Sequence, residues 1–486
     1  MSVKAYAKYL LIMAGLGGLI YGIDVGVIAA ALPYIRNTSN YSAVQLGFVV
    51  GAVLWGSVLS SLFAGSLAEF FGRKKIIIAS AFCFFISIPV ICLSGLFDGG
   101  NFLLLTVGRT LQGASAGLVG VVVPMYLAEC LDSESRGKGT GMFQLLLTIG
   151  LAFAAVIGLV VTGWVGDSDK VIAALADGAK PTADQIHGWT VAWQTIFACS
   201  SVPGLILFLG AFWLKESPRW LYKKGRREDA LASLAANNGE EKAKEILDEM
   251  IAADAAAEAE KKALAAAAQG DTLFQRKYIY PFCLAVVILA CNQTTGINSV
   301  LNYTVDIFKA TGMEGVFANF SDLAIKLVNV FMTIVACALV DKKGRKFLLK
   351  LGTSGIILGL CGVATTFLLI SKGVVTASMT TGVIATAFFF MFIAFYAVGP
   401  GVCVWLALSE LMPTRIRATG MSIAMIINQG VSATIASVFP AWKDAWGFPA
   451  VFYCLAGFTV IYFITAAFFL PETKGKTLEE IEKYFK

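Results

Sequence analysis

Residues 46–97 read LGFVVGAVLWGSVLSSLFAGSLAEFFGRKKIIIASAFCFFISIPVICLSGLF: two long apolar runs, 46–69 and 76–97, joined by the charged hinge Gly72-Arg73-Lys74-Lys75. A helix rises 1.5 Å per residue, so about 20 apolar residues cross the roughly 30 Å hydrocarbon core of a bilayer. Each run is long enough to span. The same pattern extends in both directions, giving twelve runs: 8–32, 46–69, 76–97, 102–127, 139–164, 190–214, 277–308, 317–340, 347–371, 379–408, 418–440 and 446–470.

Composition agrees: of 486 residues 57% are hydrophobic and 14% charged, and the mean hydropathy is +0.75. A large soluble protein of buried helices would need polar helix faces, which these runs lack. The expected fold class is an all-α membrane protein, with twelve transmembrane helices in two pseudo-symmetric six-helix bundles plus short cytoplasmic helices.

The net charge of +6 raises the question of a nucleic-acid partner, and its distribution answers it. Of 38 Lys and Arg residues, Arg36, Lys170, Lys180, Lys309, Lys372 and Lys443 fall on one side, and Arg109 and Lys326 lie within spans. The rest crowd the other side, and the positive-inside rule makes that side, with both termini, cytoplasmic. The charge orients a chain in a lipid bilayer and implies no nucleic acid. The ten cysteines sit almost entirely in apolar runs without metal-ligand spacing, and the single histidine, His187, stands in an outside loop. The first run is too long for a cleavable signal peptide and has no cleavage pattern.

Residues 215–276 interrupt the apolar pattern with Lys, Glu and Ala, and their stretch Glu240 to Ala268 has strong helix propensity. The expected units are a bundle at 1–214, a cytoplasmic helical linker at 215–276, a second bundle at 277–470 and a tail at 471–486. The halves repeat each other. Glu129 precedes Arg136 by seven residues after the fourth span, as Glu410 precedes Arg417 after the tenth. Gly72-Arg73-Lys74 follows the second span and Gly344-Arg345-Lys346 the eighth, while Glu216-Ser217-Pro218 and Glu472-Thr473-Lys474 follow the sixth and twelfth. Pseudo-symmetric halves of this kind place a solute site between them near the midplane and rock around it.

These residues resemble a known family. Gly65-x6-Gly72-Arg73-Lys74, Pro124-Met-Tyr126-Leu-Ala-Glu129 with Arg136-Gly137, and Glu216-Ser-Pro-Arg219-Trp220-Leu221 look like the sugar porters of the major facilitator superfamily. So do Asn292-Gln293-Thr-Thr-Gly296-Ile-Asn298, Asp341-Lys-Lys-Gly344-Arg345-Lys346 and Pro471-Glu-Thr-Lys-Gly475, and the likeness runs from the first span to the last.

Asp24 lies in the first span, where an ionisable group is costly and usually functional, and Arg109 in the fourth span is its natural partner. Both sit roughly 10–12 Å below the outer surface. The resemblance implies that they are the proton-coupling pair of a symporter. Burial raises a carboxyl pKa and a nearby guanidinium lowers it, so separating the two would change proton occupancy.

A sugar suits amide side chains with an aromatic platform. The candidates are Gln144, Asn292, Gln293, Asn298, Asn329 and Trp405, which match sugar-contacting positions of the family, together with Tyr21, which matches an aromatic position lining the pocket. Asn292 and Asn298 do not share a line on a continuous helix, and Gly296 between them can loosen it. The chain departs from the family at Asn292, where a glutamine is usual, at Gln429 in place of a pocket tryptophan, and at Ser432 and Ala397. Lys326 stands one turn before Asn329; it can pair with Asp322, reach outward, or face the solute and so favour an anionic one.

Charges on the inner side read as a gate: Glu69, Arg73, Glu129, Arg136, Glu216 and Arg219 in one half, and Asp341, Arg345, Glu410, Arg417 and Glu472 in the other. Glu69 and Phe70 replace the family's usual Asp and Arg. No phosphate loop, zinc spacing or nucleophile–histidine pairing is present, so no cofactor, metal or enzymatic activity is expected. The expected function is proton-coupled symport of a monosaccharide by a monomer in the plasma or inner membrane. The alternatives are a uniporter, a carrier of a polyol or sugar acid, and a nutrient sensor built on the same fold.

Overall fold

The computed structural model describes residues 3–130, 133–175, 180–252, 275–412 and 416–472, and all regular structure among them is helical. The first six spans are α1 (Val3–Thr38), α2 (Ala43–Phe71), α3 (Arg73–Ser94), α4 (Phe102–Cys130), α5 (Ser133–Val165) and α7 (Ala183–Ala211), with the short α6 (Ser168–Ala173) in the loop before α7. α8 (Pro218–Lys223), α9 (Arg227–Asn238) and α10 (240–252) follow; of the expected linker, 253–274 lies outside the described residues, as does the tail beyond 472.

The seventh span is broken into α11 (Arg276–Thr294) and α12 (Ile297–Ala310), the eighth is α13 (Gly315–Lys343) and the ninth α14 (Arg345–Ser371). The tenth is divided into α15 (Met379–Val398) and α16 (Pro400–Leu411) by Gly399-Pro400, whose proline cannot continue the preceding helix. α17 (Arg417–Ile464) ends in a π-helical turn at Thr465–Phe469.

Eleven helical runs among the described residues are long and apolar enough to cross a bilayer. The last, Gly420–Phe469, would be about 75 Å of continuous helix, more than twice the hydrocarbon thickness. Gly447, at φ 75° and ψ 163°, breaks it midway. It therefore crosses twice, and the runs supply twelve crossings.

Glycine spacing sets the closest packing. Gly18 and Gly22 of α1 present bare backbone to α5; a Cβ there would lie 2.2 Å from the Phe143 carbonyl oxygen and 1.9 Å from that of Leu147. This is small-residue packing as membranes require it, because lipid gives no hydrophobic drive to helix association. Between the first six spans and the last six, the main pairings are α2 with α17, α5 with α13, and α1 with α12. Advancing each span by six positions turns the 2/11 pair into the 8/5 pair and returns 1/7 to itself, the relation expected of a twofold repeat.

One end of the assembly carries both Val3 and Glu472. The other carries the ends of α1 and α12, where Arg36 meets Asp306. These are called below the terminal face and the opposite face.

Candidate solute and proton site

The break in the seventh span begins with Gly296, which sits at φ 80° and ψ 13°, and whose Cβ would lie 2.6 Å from Leu455. Only glycine takes that conformation freely and leaves that space. The hydroxyls of Thr294 and Thr295 donate to the carbonyls of Cys291 and Asn292, at 3.1 and 2.7 Å, so the helix end is partly satisfied from within.

Residues five apart on an unbroken helix point about 140° away from each other. The break cancels that angle, and Asn298 Nδ2 donates to Gln293 Oε1 at 3.0 Å. Asn298 also donates to Ser432 Oγ at 2.7 Å, and Gln293 Nε2 donates to Asn428 Oδ1 at 3.1 Å. Asn428 in turn donates to the Leu289 carbonyl at 2.9 Å. Asn428 and Ser432, four apart on α17, thus hold two of the expected solute residues in a continuous amide chain.

Asn292 points elsewhere: it is buried beside Tyr396, with no hydrogen bond to its Oδ1. Tyr21 of α1 stands against Gly120, with Gln429 and Ser57 near its hydroxyl, so α1 and α17 meet across the seam. Gln144 and Asn329 are half-buried with no side-chain hydrogen bond among the described residues. The Trp405 side chain lies outside the described residues.

Asp24 is fully buried and Arg109 is 1% exposed. Each is the principal charge acting on the other, yet neither Asp24 oxygen has a hydrogen-bond partner and the two groups form no ion pair. Arg109 instead donates from Nη1 to Gln112 Oε1 at 2.7 Å and lies over the Phe197 ring at 5.7 Å. Lys326, left open in the sequence, pairs with Asp322 at 2.7 Å in a fully buried bridge.

On the terminal face, Arg73 grips Glu129 with two bonds of 2.8 Å. Glu216 Oε1 accepts from the backbone N–H groups of Arg73 and Lys74, at 2.8 and 3.0 Å, capping α3 where the helix dipole favours an anion. Glu472 repeats this in the last six spans, accepting from the N–H groups of Arg345 and Lys346 at 3.1 and 3.2 Å. Both caps close over a glycine of positive φ, Gly72 and Gly344. The Glu69 side chain and Arg219 are exposed without an ion pair or side-chain hydrogen bond among the described residues; Glu69 contributes its carbonyl, which accepts from Trp220 Nε1 at 2.8 Å. The side chains of Arg136, Asp341, Glu410 and Arg417 lie outside the described residues.

The opposite face holds a network that the sequence reading did not anticipate. Lys309, at the end of α12, donates to Asp167 Oδ1 at 2.5 Å and to Asp169 Oδ2 at 2.8 Å. Asp169 also receives Arg36 at 3.1 Å and Asn37 at 2.6 Å, and Asp167 accepts from the Gly315 N–H at 2.8 Å. Arg36 reaches Asp306 at 3.3 Å, and Lys170 reaches Glu314 at 2.9 Å. Lys309, Asp306, Glu314 and Gly315 belong to the last six spans, and their partners to the first six. The only signal in the sequence was the close pair of acids at 167 and 169.

Twelve crossings in two packed sets, sealed on one face by ion pairs and threaded by buried amides, define a polytopic membrane transporter. The profile of the family described as "Sugar (and other) transporter" matches residues 10–485. The chain is 31% identical to the glucose transporter GlcP of Staphylococcus epidermidis, covering 99% of this chain and 97% of that protein. It is 29% identical to the arabinose-proton symporter of Bacillus subtilis, covering 97% and 93%. Its fold is that of the inward-open xylose transporter XylE from E. coli, with a TM-score of 0.79 at 24% identity over 99% of this chain and 100% of that one. The chain belongs to the sugar porter family of the major facilitator superfamily, whose members are transporters and not enzymes.

Proposed function

We propose that the protein is a proton-coupled symporter of a monosaccharide, working by alternating access in the plasma or inner membrane with its terminal face in the cytoplasm. The observation that carries the solute assignment is the amide chain Asn428–Gln293–Asn298–Ser432 at the broken seventh span, close to the seam between the two sets of spans. Amides offer both donors and acceptors and so suit the vicinal hydroxyls of a sugar. Lys326 is buried against Asp322 rather than free to meet an anion, which favours a neutral solute over a sugar acid.

Proton coupling is assigned to Asp24. Its two oxygens carry no hydrogen bond, and Arg109 is held a short way off by Gln112. Movement of the first span relative to the fourth would change that separation, and with it the balance between the neutral and charged carboxyl. Relatives of the chain support the class: they include an arabinose-proton symporter, a D-xylose transporter and a glucose transporter. Residue by residue, substrate contacts fall to Tyr21, Gln144, Gln293, Asn298, Asn329, Trp405 and Gln429, with Asn292 supporting Tyr396.

The test is counterflow in proteoliposomes against a panel of hexoses, pentoses, polyols and sugar acids, repeated with Gln293→Ala. At least one neutral sugar should exchange, and the variant should lose about tenfold or more in apparent affinity, as expected for truncating a buried hydrogen-bonding amide. Exchange of sugar acids alone, or full retention in Gln293→Ala, would contradict the assignment.

A further inference from the structure

Two cavities adjoin on the opposite face, and neither belongs to the seam between the two sets of spans. The first, about 410 Å³, lies among the end of α1, the turn after α3 and the start of α7. The second, about 460 Å³, is a groove between α3 and α7. Both are walled by Leu96.

The groove takes Val191, Gln194, Thr195 and Ala198 from α7, and Pro89, Cys92, Leu93 and Leu96 from α3 and its end. Each set has the spacing i, i+3, i+4, i+7, which is a single helix face. The polar groups of this face are already used: Gln194 Nε2 donates to the Cys92 carbonyl at 2.8 Å, and Thr195 Oγ1 to the Val191 carbonyl at 2.7 Å. What remains outward is apolar. The groove runs along α7 from Val191 to Ala198, about 10 Å, and continues inward from the first cavity, whose wall takes Ala183 to Trp193 of the same helix.

The first cavity is polar in a particular way. The hydroxyls of Ser39, Ser94 and Thr190 donate to backbone carbonyls and so present only lone pairs, and Asp98 adds a carboxylate. Trp193, 3% exposed, has an indole N–H with no partner, and the ring edge next to that nitrogen faces Gly95 of the cavity wall. His187 completes the lining, which contains no Lys or Arg. A phosphate would be poorly served there, since cations recognise it. A group rich in hydroxyl donors, with an apolar ring face for Tyr41 and Trp193, is well served.

We infer that the paired cavities form a lipid site, in which an uncharged glycosyl headgroup fills the polar cavity and one acyl chain lies along the α3–α7 groove. The apolar groove that adjoins the polar cavity selects a lipid over a free sugar. The site depends on neither the transported solute nor proton coupling.

Native mass spectrometry of the full-length protein in detergent, titrated separately with monoglucosyl-diacylglycerol, phosphatidylglycerol and phosphatidylethanolamine, tests the site. The glucosyl lipid should be retained about fivefold or more over the other two. Trp193→Phe, which keeps the ring and removes the donor, should lower retention several-fold. Val191→Trp, on an exposed rim position, should fill the groove and do the same without disturbing the core. Methyl glucoside, a headgroup without a tail, should not displace the lipid at equal concentration. Equal retention of the three lipids, unchanged retention in both variants, or displacement by methyl glucoside would each overturn the site.

Discussion

The two faces of the molecule use the same chemistry for opposite ends. On the terminal face the described charges close within one set of spans: Arg73 to Glu129, Glu216 over the start of α3, and Glu472 over the start of α14. On the opposite face they cross between the sets, with Lys309 and Arg36 bridging loops of both. Bonds of the first kind stiffen one set of spans, while bonds of the second kind hold the two sets together. An ion pair is a gate only by virtue of which parts it joins.

The largest effect that can break this comparison is Lys309→Met. It leaves Asp167 and Asp169, largely buried, without their shared cation, a loss of about 3 kcal/mol for the closed opposite face. The population should move toward an open opposite face by about a hundredfold. Spin labels at 183 and 372, in a background free of the exposed Cys199, Cys283 and Cys454, would read a longer distance. An unchanged distance would deny the crossing pairs any gating role.

Arg73→Ala should cost about 2–4 kcal/mol of stability, because Glu129 is then left nearly buried without its partner. Thermal unfolding would register the loss while the label distance stays put. If the labels moved as far as in Lys309→Met, the contrast between the faces would vanish. Gly344→Ala should cost about 1–2 kcal/mol, since φ 86° disfavours a Cβ that would also lie 2.7 Å from the Glu472 carboxylate. Lys170→Ala should leave the thermal unfolding temperature unchanged, because its pair with Glu314 is exposed on both sides and screened by solvent. It sharpens the comparison by separating the inner part of the network from its rim.

The fold was legible because membrane spans announce themselves by length and apolarity, and because Gly72 and Gly344 with their capping glutamates recur at matching places. The break at Gly296 was legible too, since glycine there had a neighbouring pair of amides to explain. The opposite-face network was not. Asp167, Asp169 and Lys309 look like ordinary loop charges until folding brings residues 140 or more apart together. Asn428 was equally silent, one more amide in an apolar run, and its role appears only as the acceptor for Gln293. Arg219 illustrates the converse, matching a motif in sequence while standing exposed in space, and the gate candidate Glu69 is exposed as well.

The proposed function assigns proton coupling to Asp24, and uptake into proteoliposomes under an imposed inward proton gradient tests that proposal most directly. The wild-type protein should accumulate its sugar above the external level and lose that ability with a protonophore. Asp24→Asn should equilibrate the sugar by exchange and never exceed the external concentration. Uphill accumulation by Asp24→Asn equal to that of the wild type would contradict the account.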